Sequence, residues 1–355
     1  MTARRHPAAI RALAALAALG AAATGLVACG SDTENAAATG KQASTLRLGY
    51  FPNVTHATAL VGVDQGIFAK ALGSTKLQTK TFNAGPSAIE ALNSGALDAT
   101  YIGPGPATNA YVKSKGKSLV IVSGATSGGA ALVVKPSITS PEQLRGKTLS
   151  TPQLGNTQDI ALRHWLKGKG FATSLVGGGD VKVKPQENSQ ILDTFAQGII
   201  DGAWVPEPFA TRMVQAGGKV LVNERDLWPG GKFVTTHLIV RRDFYDKNPA
   251  LVKALLTAQV EANDYVNANA AQSQKIVGDA IGKLSGKPLK AEIIAEAWKN
   301  LTFTNDPVAS SLLEGAKSAQ DAGLLKGEVD LDGIYQLGPI NEILKAAGKP
   351  AVAAS

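Results

Sequence analysis

Two thirteen-residue segments of the chain share one pattern of apolar, polar and small positions. They are GALDATYIGPGPA at 95–107 and GIIDGAWVPEPFA at 198–210. In each copy an amphipathic helical stretch ends at a glycine, an apolar strand comes next, and prolines end the strand. Glycine after a helix is typical of a left-handed C-cap, and the helix-to-strand order is typical of parallel α/β sheets. The pattern predicts a structural repeat, one copy in each of two α/β lobes.

Upstream of each copy, an apolar strand leads through a polar loop into another helix. The strands are LRLGYF at 46–51 and TLST at 148–151. Two apolar runs, at 121–134 and 233–240, could carry the chain between the lobes.

The expected lobes follow from these two crossings. Lobe one is discontinuous, from 45–125 plus 236–355, and lobe two is 126–235. The C-terminal helices complete lobe one, and the first of them opens at Asn248-Pro249 in the N-cap and N1 pattern. A purely sequential pair of domains is the alternative.

The N-terminal residues have the pattern of an export signal. Basic residues precede an Ala/Leu core at 12–23 that is too short to span a bilayer, which predicts a signal peptide at 1–28. The sequence LVAC at 26–29 resembles the lipobox of bacterial lipoproteins, and Cys29 is the only cysteine. We expect lipidation of Cys29, a flexible tether at 29–44, and a protein anchored on the outer face of the cytoplasmic membrane or in the periplasm. An ordinary secretory signal with a chance cysteine is the alternative.

Composition and charge exclude several classes of function. The formal net charge is +8, and three of these charges are arginines of the predicted signal peptide. No basic run interleaved with aromatic residues occurs, so we expect no nucleic-acid partner. The sequence contains no C-x-x-C, H-E-x-x-H or G-x-S-x-G motif, so we expect no metal, no cofactor and no catalytic residue.

Polar loops at the carboxyl ends of predicted strands are the candidate binding elements, because ligands of open α/β sheets bind at that edge. The loops 52–56 and 155–159 each precede a helix, where free N–H groups and the helix dipole favour an anion. Their Asn and Thr residues could equally be plain N-caps.

Six segments together resemble the solute-binding lipoproteins of ABC importers in the aliphatic sulfonate, taurine and nitrate group. The resemblance implies a type II periplasmic-binding-protein fold, with two α/β lobes, two hinge crossings and a ligand in the interlobe cleft. It also implies a monomer that delivers a small anionic solute to an ABC permease. The segments, in chain order, are YFPNVTHA, FNAGPSAIEALNSGALDATYIGPGPA, SGATSGGA, TPQLGNTQDIALRHWL, GIIDGAWVPEPFA and VTTHLIV.

The resemblance also implies a set of ligand-binding residues, most of them neutral donors that suffice for a sulfonate. They are Asn53 and His56 on the lobe-one rim, Gly103, Pro104 and Gly105 on its floor, Ser123 and Thr126 at the first crossing, Asn156, Thr157 and Gln158 in lobe two, and Trp204 and Glu207 on the lobe-two floor.

Two of these residues, and three aromatic ones, leave questions open. His56 could donate to an oxyanion or satisfy a loop carbonyl. Glu207 would repel an anion unless it holds an amino group or a heterocycle N–H. For the solute's organic tail, Phe51, Trp204 and Phe209 are candidate apolar walls, with core packing as the alternative.

The expected function is that of an extracytoplasmic receptor, not an enzyme, which captures an aliphatic sulfonate. Taurine, nitrate, bicarbonate and a thiamine-pyrimidine-like solute remain alternatives. A pyrimidine-synthesising enzyme on the same fold and a ligand sensor are further alternatives; that enzyme group uses a cysteine-rich motif that this chain lacks.

Overall fold

A computed structural model describes residues 43–354. The predicted signal peptide, Cys29 and nearly all of the predicted tether lie outside the described residues. No helix within 43–354 has the length and apolar character needed to cross a membrane.

The described residues form eleven strands and thirteen α-helices. The strands are β1 (Thr45–Tyr50), β2 (Lys76–Thr81), β3 (Ala99–Ile102), β4 (Leu119–Gly128), β5 (Ala130–Val134), β6 (Thr148–Thr151), β7 (Lys182–Pro185), β8 (Gly202–Pro206), β9 (Lys219–Asn223), β10 (Val234–Arg241) and β11 (Leu301–Phe303). The helices are α1 (Ala57–Asp64), α2 (Ile67–Leu72), α3 (Gly85–Asn93), α4 (Pro104–Lys113), α5 (Thr157–Gly168), α6 (Asn188–Ala196), α7 (Phe209–Gln215), α8 (Arg242–Lys247), α9 (Pro249–Ala268), α10 (Ala270–Ser285), α11 (Ala291–Trp298), α12 (Ala309–Asp321) and α13 (Gly338–Ala346). Short 3₁₀ turns cover Val54–His56, Pro141–Leu144, Glu224–Leu227 and Pro229–Gly231.

The strands form two sheets with equivalent topology. The first has the order β11-β4-β10-β3-β1-β2 and the second the order β7-β6-β8-β5-β9. In both, three parallel strands are followed by an antiparallel one, β10 in the first sheet and β5 in the second. The repeated segments occupy equivalent places, α3-β3-α4 and α6-β8-α7. The glycines that end α3 and α6, Gly95 and Gly198, have φ of 74° and 73°, as the sequence predicts.

The aspartate of each repeat has the same structural role. Asp98 accepts a hydrogen bond from the backbone N–H of Arg47 in β1, and Asp201 accepts one from the backbone N–H of Thr148 in β6, both at 2.9 Å. Each carboxylate thereby holds its own strand against the neighbouring parallel strand, at the edge opposite the strands' carboxyl ends.

The chain passes from the first sheet to the second at Gly128–Gly129. Both glycines have left-handed φ, 81° and 76°, and a Cβ on Gly128 would lie 2.7 Å from the carbonyl oxygen of Asn300. Strand β4 ends at Gly128, three residues after the expected lobe boundary at 125. The return strand β10 begins at Val234, two residues before the expected boundary at 236. The division into lobes remains a proposal, with these crossings as its natural boundaries.

Apolar cores cover both faces of each sheet. On the first sheet one face packs against α1, α2 and α9, and the other against α3 and α4. In the second sheet, Trp204 and Leu149 belong to one face, whereas Ala203 and Val205 belong to the other. The carboxyl ends of the parallel strands are thereby left for loops and helix starts.

Candidate functional site

A small polar cavity lies where the carboxyl ends of the two sheets face each other. Its volume is about 20 Å³. The polar side chains that line it are amides, hydroxyls and an imidazole, and no Lys, Arg, Asp or Glu is among the described lining residues. They are Phe51, Asn53, Thr55, His56, Asn83, Gly103, Asn156, Thr157, Gln158, Asn188, Pro206 and Thr235.

Four α-helices begin at this cavity. The lining residue Gly103 is the N-cap of α4, Asn156 is the N-cap of α5, Asn188 is the first residue of α6, and Asn83 precedes α3 by two residues. The starts of α3, α4 and α6 have no side-chain capping hydrogen bond, whereas Asn156 Oδ1 accepts the N–H of Thr157 at 2.7 Å. The α4 start contributes its dipole end but no free N–H, because Pro104 and Pro106 have none and the Gly105 N–H donates to Thr157 Oγ1. The dipole ends of the four helices and the uncapped N–H groups of α3 and α6 favour an anion without a charged side chain.

Some buried amides of the cavity have no protein partner. Asn188 is 5% exposed, and its Oδ1 has no hydrogen-bond partner among residues 43–354. Asn53 is also 5% exposed and stands at an N-cap position, yet makes no capping hydrogen bond. An unsatisfied buried polar group costs roughly 1–3 kcal/mol, so the unpaired Asn188 Oδ1 does not stabilise the fold.

His56 is a neutral hydrogen-bond donor in the cavity wall. Its Nδ1 accepts the backbone N–H of Phe51 at 3.3 Å, and its ring stacks on the Phe51 ring with a centroid separation of 4.4 Å. Burial lowers the pKa of His56 to about 3. The imidazole is therefore neutral, and since Nδ1 is an acceptor, the proton is on Nε2.

The two lobes touch at the glycines that come after β3. Thr157 Oγ1 accepts the backbone N–H of Gly105 at 3.2 Å, and a Cβ on Gly103 would collide with the same hydroxyl. A Cβ on Gly105 would lie 2.7 Å from the Ile160 side chain. These glycines let α5 approach α4. Gly103 lines the cavity, whereas Pro104 and Gly105 lie behind it.

Ser123 and Thr126 lie outside the polar cavity, contrary to expectation. The Ser123 hydroxyl donates to the carbonyl of Gly124 at 2.6 Å. The Thr126 hydroxyl donates to the carbonyl of Thr55 at 2.7 Å, and that carbonyl also accepts the hydroxyl of Thr236 at 3.1 Å. Thr126 therefore holds the turn that carries the lining residues, but does not itself line the cavity.

Trp204 also lies outside the cavity, because its side chain is on the core face of β8. It is fully buried, packs edge-on against Trp165, and donates its Nε1 hydrogen to Glu224 Oε2 at 2.6 Å. Burial raises the pKa of Glu224 to about 7. Phe209 packs on the core of the opposite sheet face, so Phe51 is the one expected aromatic wall that lines the cavity.

Glu207 connects elements near the crossing and is absent from the cavity lining. Its Oε2 accepts the N–H of Thr211 at 3.1 Å, and its Oε1 accepts the side-chain amide of Asn300 at 2.7 Å. The carbonyl of Asn300 accepts a hydrogen bond from Arg225 at 3.1 Å. Burial raises the pKa of Glu207. Both oxygens of the Glu207 carboxylate therefore have hydrogen-bond partners within the protein.

The structure brings together six of the twelve expected site residues: Asn53, His56, Gly103, Asn156, Thr157 and Gln158. It adds residues that the sequence did not single out as ligand-binding, chiefly Asn83, Asn188 and Thr235. Asn83 comes after β2 and Asn188 after β7, which are equivalent strands of the two sheets. Alignment of the two halves of the sequence repeat could therefore have identified Asn83 and Asn188 as a matching pair. Among residues 43–354, no group of three or more His, Cys, Asp and Glu side chains is placed to hold a metal ion.

The fold is that of the periplasmic binding proteins. The structure is similar to the periplasmic nitrate-binding protein NrtA from Synechocystis, with a TM-score of 0.74, 16% identity, and coverage of 87% of this chain and 90% of that one. It is also similar to the periplasmic aliphatic sulphonate-binding protein SsuA from Escherichia coli, with a TM-score of 0.64, 22% identity, and coverage of 83% and 92%. These likenesses confirm the type II fold expected from the sequence.

The family follows from the sequence match. Residues 39–278 match the NMT1-like family, and the chain belongs to it. It is 29% identical over 279 residues to the taurine-binding periplasmic protein of Escherichia coli, which covers 75% of this chain and 83% of that protein. The chain is a solute-binding protein of the ABC-importer group, as the sequence resemblance implied.

Proposed function

We propose that the protein captures an organic sulfonate, of the aliphatic class, in the interlobe cavity and delivers it to an ABC permease. One observation carries the proposal: the cavity is lined by neutral donors at four helix starts, with no charged side chain among its described lining residues. The proposed contacts are Asn53, His56, Asn83, Gly103, Asn156, Thr157, Gln158 and Asn188.

A sulfonate matches this donor set in charge and hydrogen bonding. It is ionised at neutral pH and offers three acceptor oxygens, so it needs donors and a positive potential but no proton transfer. The Nε2 hydrogen of His56, the side-chain NH2 groups of Asn53 and Asn188, and the uncapped N–H groups at the start of α6 supply both.

Taurine is the second candidate, favoured by the name of the 29% identical relative. Its ammonium group would need a carboxylate or several acceptors. The carboxylate expected for that task, Glu207, is bonded to Thr211 and Asn300 outside the cavity. An ammonium group would therefore depend on neutral acceptors of the cavity, such as the unpaired Asn188 Oδ1, and the placement of Glu207 favours a sulfonate without an amino group.

The setting of the receptor completes the proposal. We place the protein outside the cytoplasm, as a monomer anchored through a lipid on Cys29, with a tether that allows the lobes to reach a permease. Binding occurs without turnover, so the sulfonate is released unchanged.

Calorimetric titration and thermal unfolding of the purified protein test the function. The solutes are methane-, ethane- and butanesulfonate, taurine, nitrate, bicarbonate and a thiamine pyrimidine. A simple sulfonate present at about 100 times its Kd stabilises the fold by about 2.7 kcal/mol, which raises Tm by several degrees. At the same solute concentration Asn188→Ala should reduce this shift, whereas the exposed Asn93→Ala should keep it. A Tm that responds to nitrate or a pyrimidine but to no sulfonate would refute the proposal.

A further inference from the structure

A buried ion pair lies directly behind the β6–α5 loop, the segment 152–156 of lobe two. Asp159, in the first turn of α5, is 0% exposed, and Arg163, four residues further along the helix, is 1% exposed. Arg163 Nε donates to Asp159 Oδ1 at 3.0 Å. Replacement of a buried ion pair by apolar side chains of similar volume is often neutral or stabilising. The stability of the fold is therefore a weak reason for this pair.

The Asp159 carboxylate binds both ends of the β6–α5 loop. Its Oδ1 accepts the hydroxyl of Thr151, the last residue of β6, at 2.9 Å. Its Oδ2 accepts the backbone N–H of Gly155, whose φ is 74°, also at 2.9 Å. The backbone N–H of Asp159 donates to the carbonyl of Asn156 at 3.0 Å. One enclosed carboxylate therefore closes the loop across its base.

The three residues between Gly155 and Asp159 all line the polar cavity. They are Asn156, Thr157 and Gln158. The positions of their side chains depend on where Gly155 and the start of α5 lie relative to the end of β6. Asp159 fixes this relation but is not among the described residues that line the cavity. It can therefore act on a bound solute only through its three neighbours.

Arg163 supplies the opposite charge that a carboxylate at this place requires. An unpaired carboxylate close to the cavity would oppose an anionic solute. The guanidinium of Arg163 balances this charge, and its Nη1 donates to the carbonyl of Ser174 at 2.9 Å. The pair is neutral as a whole, so it can hold the loop without adding net charge beside the anion site.

The corresponding loop of lobe one, 51–56 after β1, is held without a carboxylate. The carbonyl of Thr55 accepts the hydroxyls of Thr126 and Thr236, which belong to β4 and β10 of the same sheet. Lobe one thus fixes its loop from central strands, whereas lobe two fixes its loop from the helix that the loop begins. Changes at Asp159 should therefore act on the lobe-two side of the cavity.

We propose that Asp159 is a positioning residue for solute binding, with Arg163 as its counter-ion. The carboxylate holds the β6–α5 loop so that Asn156, Thr157 and Gln158 face the solute. The inference rests on the proposed function, because the solute that these three residues contact is the proposed sulfonate.

Two double variants separate this role from the stability of the ion pair. They are Asp159→Asn with Arg163→Met, and Asp159→Ala with Arg163→Met. Both remove the pair without leaving one buried charge unpaired, which either single change would do. The asparagine amide can still accept the Gly155 N–H and donate to the Thr151 hydroxyl oxygen, whereas alanine can do neither.

Calorimetric titration with methanesulfonate and hydrogen exchange of the Gly155 N–H measure the two steps of the argument. We expect the alanine double variant to bind methanesulfonate about tenfold or more weakly than the wild type. Its Gly155 N–H should exchange about tenfold or more faster in the solute-free protein. The asparagine double variant should stay within about threefold of the wild type in both measurements, because its amide keeps the two loop contacts.

A second pair of variants keeps the test decisive where a double variant does not fold. Thr151→Val removes the hydroxyl that donates to Asp159. The matched control, Ser150→Ala, removes a buried hydroxyl of the same strand that donates instead to the carbonyl of Lys184, at 2.7 Å. Each variant loses one hydroxyl hydrogen bond, yet only Thr151→Val should weaken methanesulfonate binding, by about threefold or more.

The outcomes separate the two proposals. Equal affinities of the asparagine and alanine double variants, or of Thr151→Val and Ser150→Ala, overturn the positioning role while the proposed function stands. A Gly155 N–H that exchanges no faster in the alanine double variant overturns the positioning role as well. Failure of the wild type to bind any sulfonate overturns the proposed function, and the role in sulfonate binding with it.

Discussion

Replacement of Glu224 by glutamine should remove a pH dependence of stability. Glu224 is buried, at 3% exposure, and accepts a hydrogen bond from Trp204; its pKa is raised from 4.5 to about 7, first of all by burial. Between these two values the unfolded chain loses the proton and the folded protein keeps it, so the folded state loses stability as pH rises. The contribution of this carboxyl is fully present below about pH 4.5 and lost above about pH 7.

The size of the effect follows from the two pKa values. From about pH 5 to about pH 8, the wild type should lose about 2.5 kcal/mol of unfolding free energy that Glu224→Gln does not lose. A glutamine resembles the protonated acid in shape and can still accept the Trp204 Nε1 hydrogen, so the two proteins should be similar near pH 5.

Urea unfolding at several pH values measures this difference, because the other titrating groups are common to both proteins and cancel. Glu292→Gln, at an exposed carboxylate, controls for the loss of a negative charge. Parallel pH profiles of wild type and Glu224→Gln would show that the carboxyl is not enclosed as described.

Three further predictions concern the cavity. His56→Phe keeps the stack on Phe51 but removes the donor, so sulfonate binding measured by calorimetry should weaken about tenfold. Since the pKa of His56 is about 3, the wild-type affinity should stay constant from about pH 5 to about pH 8. A rise in affinity on acidification near pH 6 would contradict the neutral imidazole. Asn188→Ala should weaken binding about fivefold or more, whereas Ser123→Ala, outside the cavity, should stay within about twofold in the same titration. Glu207→Gln should leave the ratio of taurine to methanesulfonate affinity unchanged, and a loss confined to taurine would mean that this carboxylate reaches the solute.

The fold could be predicted because its signal is periodic and repeated. A helix, a left-handed glycine, an apolar strand and a proline stop occur twice, and each of these features is set by local backbone chemistry. Asp98 and Asp201 have the same bond to a neighbouring strand, so the repeat is one of packing as well as of sequence.

The cavity lining was predicted only in part, because the side chains that line a cavity depend on strand register and on contacts between distant segments. Within β8, Trp204 faces one core while Ala203 and Val205 face the other, and an apolar strand does not reveal which face is which. Thr126 has a suitable hydroxyl and a suitable place at the crossing, yet its partner is a backbone carbonyl 71 residues away. Asn188 comes after a short strand with no recognisable motif, so its role emerges only when the equivalent strands are aligned in space.

The two copies of the repeat differ in the residues that come directly after the strand. After β3 the chain enters α4 at once, and the helix start faces the cavity with Gly103 as its N-cap. After β8, Pro206 still lines the cavity, but the next residue, Glu207, is bonded to Asn300, and α7 begins only at Phe209. Lobe one therefore uses this position to bring a helix start to the cavity, and lobe two uses it to connect α7 to the segment before β11, beside the crossing glycines. A carboxylate pointing into the cavity would oppose the four helix starts. Its engagement with Thr211 and Asn300 keeps that negative charge out of the proposed anion site.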